Sequence, residues 1–326
     1  MNRPHINGRR QFLLTGAVAL AAAKGALGAV ALPGLQVQQV NTDTLAISCA
    51  ILGPEHGRPV VLVHDLGYDI RSFAAAAGIL ADAGLRVIVP SLRGHGATRY
   101  RSEATPRSGQ QAALGRDLLD LIDALHIPEA VFAGFGWGAS AACAMAALRP
   151  SRCVGLVLAN NEGIDDAAAA TTPLAPAAEA ALWHQFYFQT ERGRQALQTN
   201  RIGVMREVWR HANRDGRMDE AAFAQAAASF DNPDFIETVL HAWRYRFGNA
   251  DPDPRYVKAE LTVAARKAPT VPVIALEGGA SARQPARLAQ SRVLHIAAAG
   301  HDLPREAPQA FADAVLGVTR AAVWRT

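Results

Sequence analysis

Apolar positions along the chain follow two periods. Residues 45–52 alternate weakly and predict an early strand. Continuous apolar runs at 59–64 (Pro-Val-Val-Leu-Val-His) and 86–90 (Arg-Val-Ile-Val-Pro) predict strands covered on both faces. Helical spacing runs over 72–83 and stops at Gly84. It returns over 112–125, where Leu114, Leu118, Leu121, Ile122 and Leu125 share one face. A strand at 130–133, a helix at 139–148 ending before Pro150, and a strand at 154–159 continue the alternation. Strands alternating with helices predict an α/β chain with a mostly parallel, doubly wound sheet. From 163 to 270 the pattern is helical only, over 177–198, 202–212, 219–229 and 234–247. Strand signals return at 271–276 and 293–296, and a helix over 308–318 closes the chain. The expected organisation is therefore a core of residues 32–162 and 271–326 carrying a helical insert, 163–270. Trp183, Trp209 and Trp243 fall in the insert and are expected to form its own core.

Composition narrows the picture. Half of the 326 residues are hydrophobic, enough for one large core. The formal charge is +4 with arginines scattered, which leaves no nucleic-acid footprint. Arg9 and Arg10 precede an alanine-rich apolar run over 15–30, which resembles a twin-arginine export signal. Residues 1–31 are expected to be that signal, with the mature chain periplasmic or secreted. Lys24 interrupts the run and argues against a stable membrane span after cleavage. Cys49, Cys143 and Cys153 are too few for a disulfide framework. No metal cluster, phosphate loop or dinucleotide fingerprint is legible, so neither metal nor cofactor is expected.

The candidate chemistry centres on residues 131–140, Val-Phe-Ala-Gly-Phe-Gly-Trp-Gly-Ala-Ser. This has the form of a nucleophile elbow, a strand turning sharply into a helix between small residues. Its centre, Gly136, has no side chain to attack with. Four further landmarks accompany it: His64-Asp65-Leu66-Gly67 after a strand, Arg93-Gly94-His95-Gly96, Leu276-Glu277-Gly278-Gly279 at a strand end, and Gly300-His301-Asp302.

In order and spacing, these five segments resemble the α/β-hydrolases, specifically the branch with a helical cap that includes dehalogenases and epoxide hydrolases. The resemblance implies an elbow aspartate that forms an ester, a histidine that activates water, and an acid that orients the histidine. Only the histidine, His301, is retained. Gly136 stands at the nucleophile position and Gly279 at the acid position. The oxyanion site implied by the family would use the Trp137 N–H and the loop at His64 and Asp65. Asp65 replaces a family glycine, so its carboxylate either intrudes on that site or faces solvent. Glu162, after the strand 154–159, is a candidate relocated acid. Ser140 is expected to be a small helix residue and His95 a structural turn residue. Glu191 and Arg192 either face the cleft or pair on the surface.

Three functions follow from these residues. The favoured one is a degenerate hydrolase that keeps a pocket for a small apolar molecule. The second is an active hydrolase or lyase-type enzyme using His301, with Glu162, as general base. The third is a non-catalytic binding protein. Oligomeric state is not legible. Amino-terminal sequencing of the exported protein is expected to begin near Leu32; recovery of the periplasmic protein with residues 1–31 intact would contradict the export reading.

Overall fold

The computed structural model describes residues 36–161, 163–164, 172–173, 175–213, 215–266, 269–281 and 291–325. Residues 1–31, expected to be an export signal, lie outside the described residues, as does Glu162. Nine strands form one sheet: β1 (Val37–Asn41), β2 (Leu45–Leu52), β3 (Pro59–Val63), β4 (Arg86–Pro90), β5 (Arg99–Tyr100), β6 (Ala130–Phe135), β7 (Cys153–Ala159), β8 (Val273–Gly278) and β9 (Arg292–Ile296). Their order is β1-β2-β4-β3-β6-β7-β8-β9, with β5 beside β2. The pairs from β4 through β9 are parallel, and β1, β2 and β5 add antiparallel pairs at one edge. The doubly wound sheet predicted from the apolar runs is thus present. Strands β6 and β7 are buried along their whole length, as continuous apolar runs require.

Helices α1 (Ala74–Asp82), α2 (Gln111–Ala124) and α3 (Trp137–Leu148) connect the first parallel strands. Between β7 and β8 the described chain is helical: α4 (Pro176–Ala181), α5 (Trp183–Tyr187), α6 (Glu191–Ala212), α7 (Glu220–Ala227), α8 (Phe235–Arg246) and α9 (Val257–Ala265). After β9 come α10 (Leu303–Glu306) and α11 (Pro308–Ala321). The helix predicted over 177–198 is instead broken. Thr190 caps a new helix by accepting from the Gly193 N–H at 3.0 Å. That helix then runs through the predicted break to Ala212, bending at Asn200, whose backbone is not helical. Helix α9 and the mostly exposed strand β1 were not among the predicted elements.

The strand order reverses around β3, which lies between β4 and β6. At such a switch point the loops leaving neighbouring strands diverge and open a crevice. Val63 pairs with Gly134 in the β3–β6 register. Two residues beyond these partners stand Asp65 and Gly136, so the sheet itself brings them side by side.

Arg93 of the Arg-Gly-His-Gly turn is fully buried beneath this crevice. Its Nε and Nη2 atoms donate to the two oxygens of Asp117 on α2, both at 2.6 Å, and Nη1 donates to the Ser108 carbonyl at 2.8 Å. Such a fork-to-carboxylate pair fixes the turn against α2. The three cysteines are buried and free, and burial pushes the Cys49 and Cys153 thiols up to about 12, so both stay protonated. Asp117→Ala leaves the Arg93 charge buried without its carboxylate and is expected to cost about 3–5 kcal/mol in urea denaturation. A loss below about 1 kcal/mol would show that the pair is not a structural anchor.

Candidate active site

The site lies at the carboxyl edge of the sheet, where β3, β6 and β7 and the loop after β9 converge. Gly136 follows β6 with φ 51° and ψ −127°, a backbone state that suits glycine. The chain therefore makes the sharp elbow turn expected of this segment, and α3 starts at Trp137. A Cβ built on Gly136 would come within 3 Å of Cγ and both oxygens of Asp65. The space an elbow side chain would fill is already filled by a carboxyl group from the neighbouring loop.

That carboxyl group is bound on both sides. Asp65 Oδ1 accepts from the Trp137 N–H at 2.6 Å and from the Leu66 N–H at 2.9 Å. Asp65 Oδ2 lies 2.8 Å from His301 Nε2. Both residues are about 2 % exposed. Of the two orientations open for Asp65, the structure takes the one inside the oxyanion site. The two backbone donors that could hold a substrate oxyanion hold an Asp65 oxygen instead. Charge-assisted hydrogen bonds of this kind are the stronger ones.

The loop presenting Asp65 is pinned by two neutral histidines. The hydrogen-bond partners assign both rings as Nδ1–H tautomers. His64 Nδ1 donates to the Asp65 carbonyl at 2.8 Å, and its Nε2 accepts from the Leu92 N–H at 3.0 Å. His95 Nδ1 donates to the Arg93 carbonyl at 3.0 Å, and its Nε2 accepts from the Gly67 N–H at 3.0 Å. Burial lowers the proton affinity of His64, and burial together with His64 pushes His95 down to about 3. His64, expected in the oxyanion pocket, is therefore a buried strut under the loop; its ring bonds backbone and does not line the cavity. His95 plays the structural part expected of it.

His301 is placed by two asparagines. Asn160, at the end of β7 with φ 45°, donates through Nδ2 to the carbonyls of Gly300 and His301, at 2.8 and 3.0 Å. Its Oδ1 accepts from the Gly278 N–H at 2.8 Å. Asn213, just beyond α6, accepts from the His301 N–H at 2.7 Å. Asn161 donates to the Gly136 carbonyl at 2.6 Å and to Ser140 Oγ at 2.9 Å, tying the elbow to the same strand end. Ser140 Oγ in turn donates to the Gly163 carbonyl at 3.0 Å, the structural role expected of it. Asn160 and Asn161 carried no signal in the sequence beyond their place after a buried strand, and Asn213, at the end of a helix, carried none.

Gly279 has little room for an acid: a Cβ there would meet the Ala297 carbonyl oxygen at 2.5 Å. Glu191 is exposed and lies 3.6 Å from Arg194 on the insert surface, and Arg192 is also exposed. Neither reaches the site. Asp302, next to His301, is buried and accepts from Ser72 Oγ at 3.0 Å, and burial raises its pKa to about 7.

The insert covers the site. The Trp209 indole N–H donates to the Gly67 carbonyl at 2.7 Å, and its ring stacks on Tyr68 with centroids 4.2 Å apart. Trp243 meets Trp137 edge-on at 5.3 Å. These two tryptophans pack onto the core loops rather than forming a core confined to the insert; Trp183 packs near Tyr187 and His211 within it. Between the layers lies a narrow cavity of about 20 Å3, room for roughly one water. Asp65 and His301 form its floor; Leu66, Met205, Val208 and Trp243 contribute apolar walls, and Tyr68 and His184 polar ones.

The profile of the alpha/beta hydrolase family matches residues 60–314. The crystal structure of a provisionally assigned epoxide hydrolase from Klebsiella pneumoniae is 38 % identical, covers 87 % of this chain and 97 % of its own, and superposes with a TM-score of 0.82. A provisionally assigned epoxide hydrolase from Pseudomonas aeruginosa, at 21 % identity and a TM-score of 0.72 over 88 % of this chain and 95 % of its own, shares the fold. Among curated proteins, an epoxide hydrolase from Caballeronia sordidicola is 30 % identical over 36 % of this chain and 35 % of its own length. The acetyltransferase component of an acetoin-cleaving system from Pseudomonas putida is 35 % identical over 36 % of this chain and 30 % of its own. The matched stretch thus spans about a third of these curated relatives.

Asp302 gives a pH signature. Its pKa in the folded chain lies above that of an exposed carboxyl, so the folded state binds its proton more tightly than the unfolded state does. Its contribution to stability is therefore full below about pH 4 and falls as pH rises through about 7. Asp302→Asn is expected to flatten the stability-versus-pH curve across that window and to raise stability at pH 8 relative to the parent, as read by urea midpoints.

Proposed function

The chain belongs to the alpha/beta hydrolase family, and from that premise we propose that it hydrolyses small apolar epoxides, with Asp65 and His301 as the working pair. One observation carries this reading. The Asp65 carboxylate occupies the space left by Gly136 and contacts both the Trp137 N–H and His301 Nε2. The degenerate reading rests on an empty nucleophile position, and a carboxylate standing beside that position supports the active reading instead. The epoxide hydrolase relatives point to the same class of substrate.

The filled oxyanion site favours an electrophilic saturated carbon over an ester. Acyl transfer needs free donors for the oxygen of a tetrahedral intermediate. Here the Leu66 and Trp137 N–H groups are engaged by Asp65. An epoxide carbon needs only a nucleophile aligned with the breaking bond and a proton for the departing oxygen. The apolar walls suit a hydrocarbon substituent, and the narrowness of the cavity favours a small one or requires the insert to yield.

We also propose twin-arginine export, on the strength of Arg9, Arg10 and the apolar run behind them. Among the described residues no helix is long and apolar enough to cross a membrane.

Styrene oxide and propylene oxide are expected to yield diols, while phenyl acetate is left intact. Asp65→Asn and His301→Ala should each lower kcat/KM by about a thousandfold or more. Diol formation undiminished in either variant would overturn the assignment of the pair.

A further inference from the structure

Resting on the hydrolase reading above, we infer that Tyr68 sets the size of substrate this chain accepts. Its ring is the partition between the cavity over Asp65 and His301 and a much larger outer cleft, and a bulky epoxide substituent is admitted only as far as that ring gives way.

Two voids meet at this ring. The inner one, with Asp65 and His301 on its floor, measures about 20 Å3. The outer one measures about 530 Å3 and lies between the insert and the core, with Trp209, Met218 and Ala222 on one side and Ala280, Ala298 and Asp302 on the other. Among the described residues, Tyr68 alone lines both. The inner space suffices for roughly one water, so even propylene oxide enters only if a wall moves.

The other large walls have little room to retreat. Trp243 backs edge-on against Trp137, with centroids 5.3 Å apart. Met205 fills the space that a Cβ on Gly67 would take. Phe188 is 1 % exposed. Close-packed side chains of this kind resist displacement. Tyr68 differs in having open space beyond it, on the side of the outer cleft.

The backbone of Tyr68 is fixed. Its N–H donates to the Asp65 carbonyl at 3.1 Å, and the carbonyl before it, of Gly67, accepts from the Trp209 indole at 2.7 Å. Residue 68 is thus tied to the Asp65 turn and to α6, which leaves rotation of its side chain as the available motion. Ring contacts hold that side chain in the closed position. It stacks on Trp209 at 4.2 Å with 15° between the planes, and it stands edge-on to Phe135 at 5.2 Å. An aryl group of the substrate lying against Trp209 would replace these dispersion contacts with similar ones. The alternative is that Tyr68 is a packing residue only, whose truncation weakens every substrate alike.

Tyr68→Ala and, as a milder truncation, Tyr68→Leu test this with trans-stilbene oxide and propylene oxide. Truncation is expected to raise the ratio of kcat/KM for stilbene oxide to that for propylene oxide by about tenfold or more. Tyr68→Phe, which keeps the ring, is expected to leave that ratio within about twofold of the parent. Equal losses on both substrates in folded Tyr68→Ala and Tyr68→Leu would show a packing role and overturn the assignment. Equilibrium binding gives a readout that needs no turnover. Hydrobenzoin, the diol of stilbene oxide, is titrated against the full chain and followed by tryptophan fluorescence. Truncation is expected to tighten its Kd by about tenfold or more. A Kd unchanged by truncation, or no binding to any of these chains, would overturn the partition. Tighter hydrobenzoin binding on truncation, with no diol formed from either epoxide by any of the chains, would overturn the hydrolase reading and leave the partition standing.

Discussion

The site depends on one constraint of volume. A single carboxyl group fits between the elbow, the loop after β3 and His301, and two backbone positions, 65 and 136, point at that space. Only one of them can carry a side chain. With aspartate at 65, position 136 must be glycine, and the strained turn costs nothing because glycine adopts positive φ without steric penalty. The family's usual arrangement keeps its reactive side chain on that strained turn. Here the turn is retained as shape, and the carboxyl group beside it comes from the loop after β3.

A loop is a less rigid mount than a strand-to-helix turn, and the surrounding bonds compensate. Two buried, neutral histidines brace residues 64–67 against the Arg93 turn, which is itself anchored on Asp117. The Leu66 N–H donates to the side chain of the residue before it, which limits the rotamers open to Asp65. From above, Trp209 bonds the Gly67 carbonyl and covers Tyr68. Asn213, just past the end of the same helix, holds the His301 backbone. The helical insert therefore bonds the backbone of the Asp65 loop at Gly67 and that of His301 itself. Movement of α6 would also act on the geometry of Asp65 and His301.

The parallel strands were legible in the sequence because strands buried on both faces appear as unbroken apolar runs. The elbow was legible because glycines at close spacing mark turns, and the histidine loop through its resemblance to the family. Boundaries within the insert were less so. A threonine cap at 190 divides one periodic stretch, and a bend at Asn200 joins two others. The sequence could show that position 136 is empty and that Asp65 stood near the oxyanion loop, but not that the two features answer each other. That link depends on β3 pairing with β6 in a particular register, across about seventy residues of chain. The same limit applies to Asn160 and Asn213, which act only after distant segments have come together.

The two oxygens of Asp65 also stand in unequal environments, although the whole group is nearly buried. Burial alone would favour the protonated acid. Hydrogen bonds from the Leu66 and Trp137 N–H groups and from His301 Nε2 act in the opposite sense, since each stabilises the ionised form. Oδ1 is held by two backbone donors, whereas Oδ2 meets a histidine, a side chain able to move a proton. The backbone thus holds one oxygen and a titratable side chain the other.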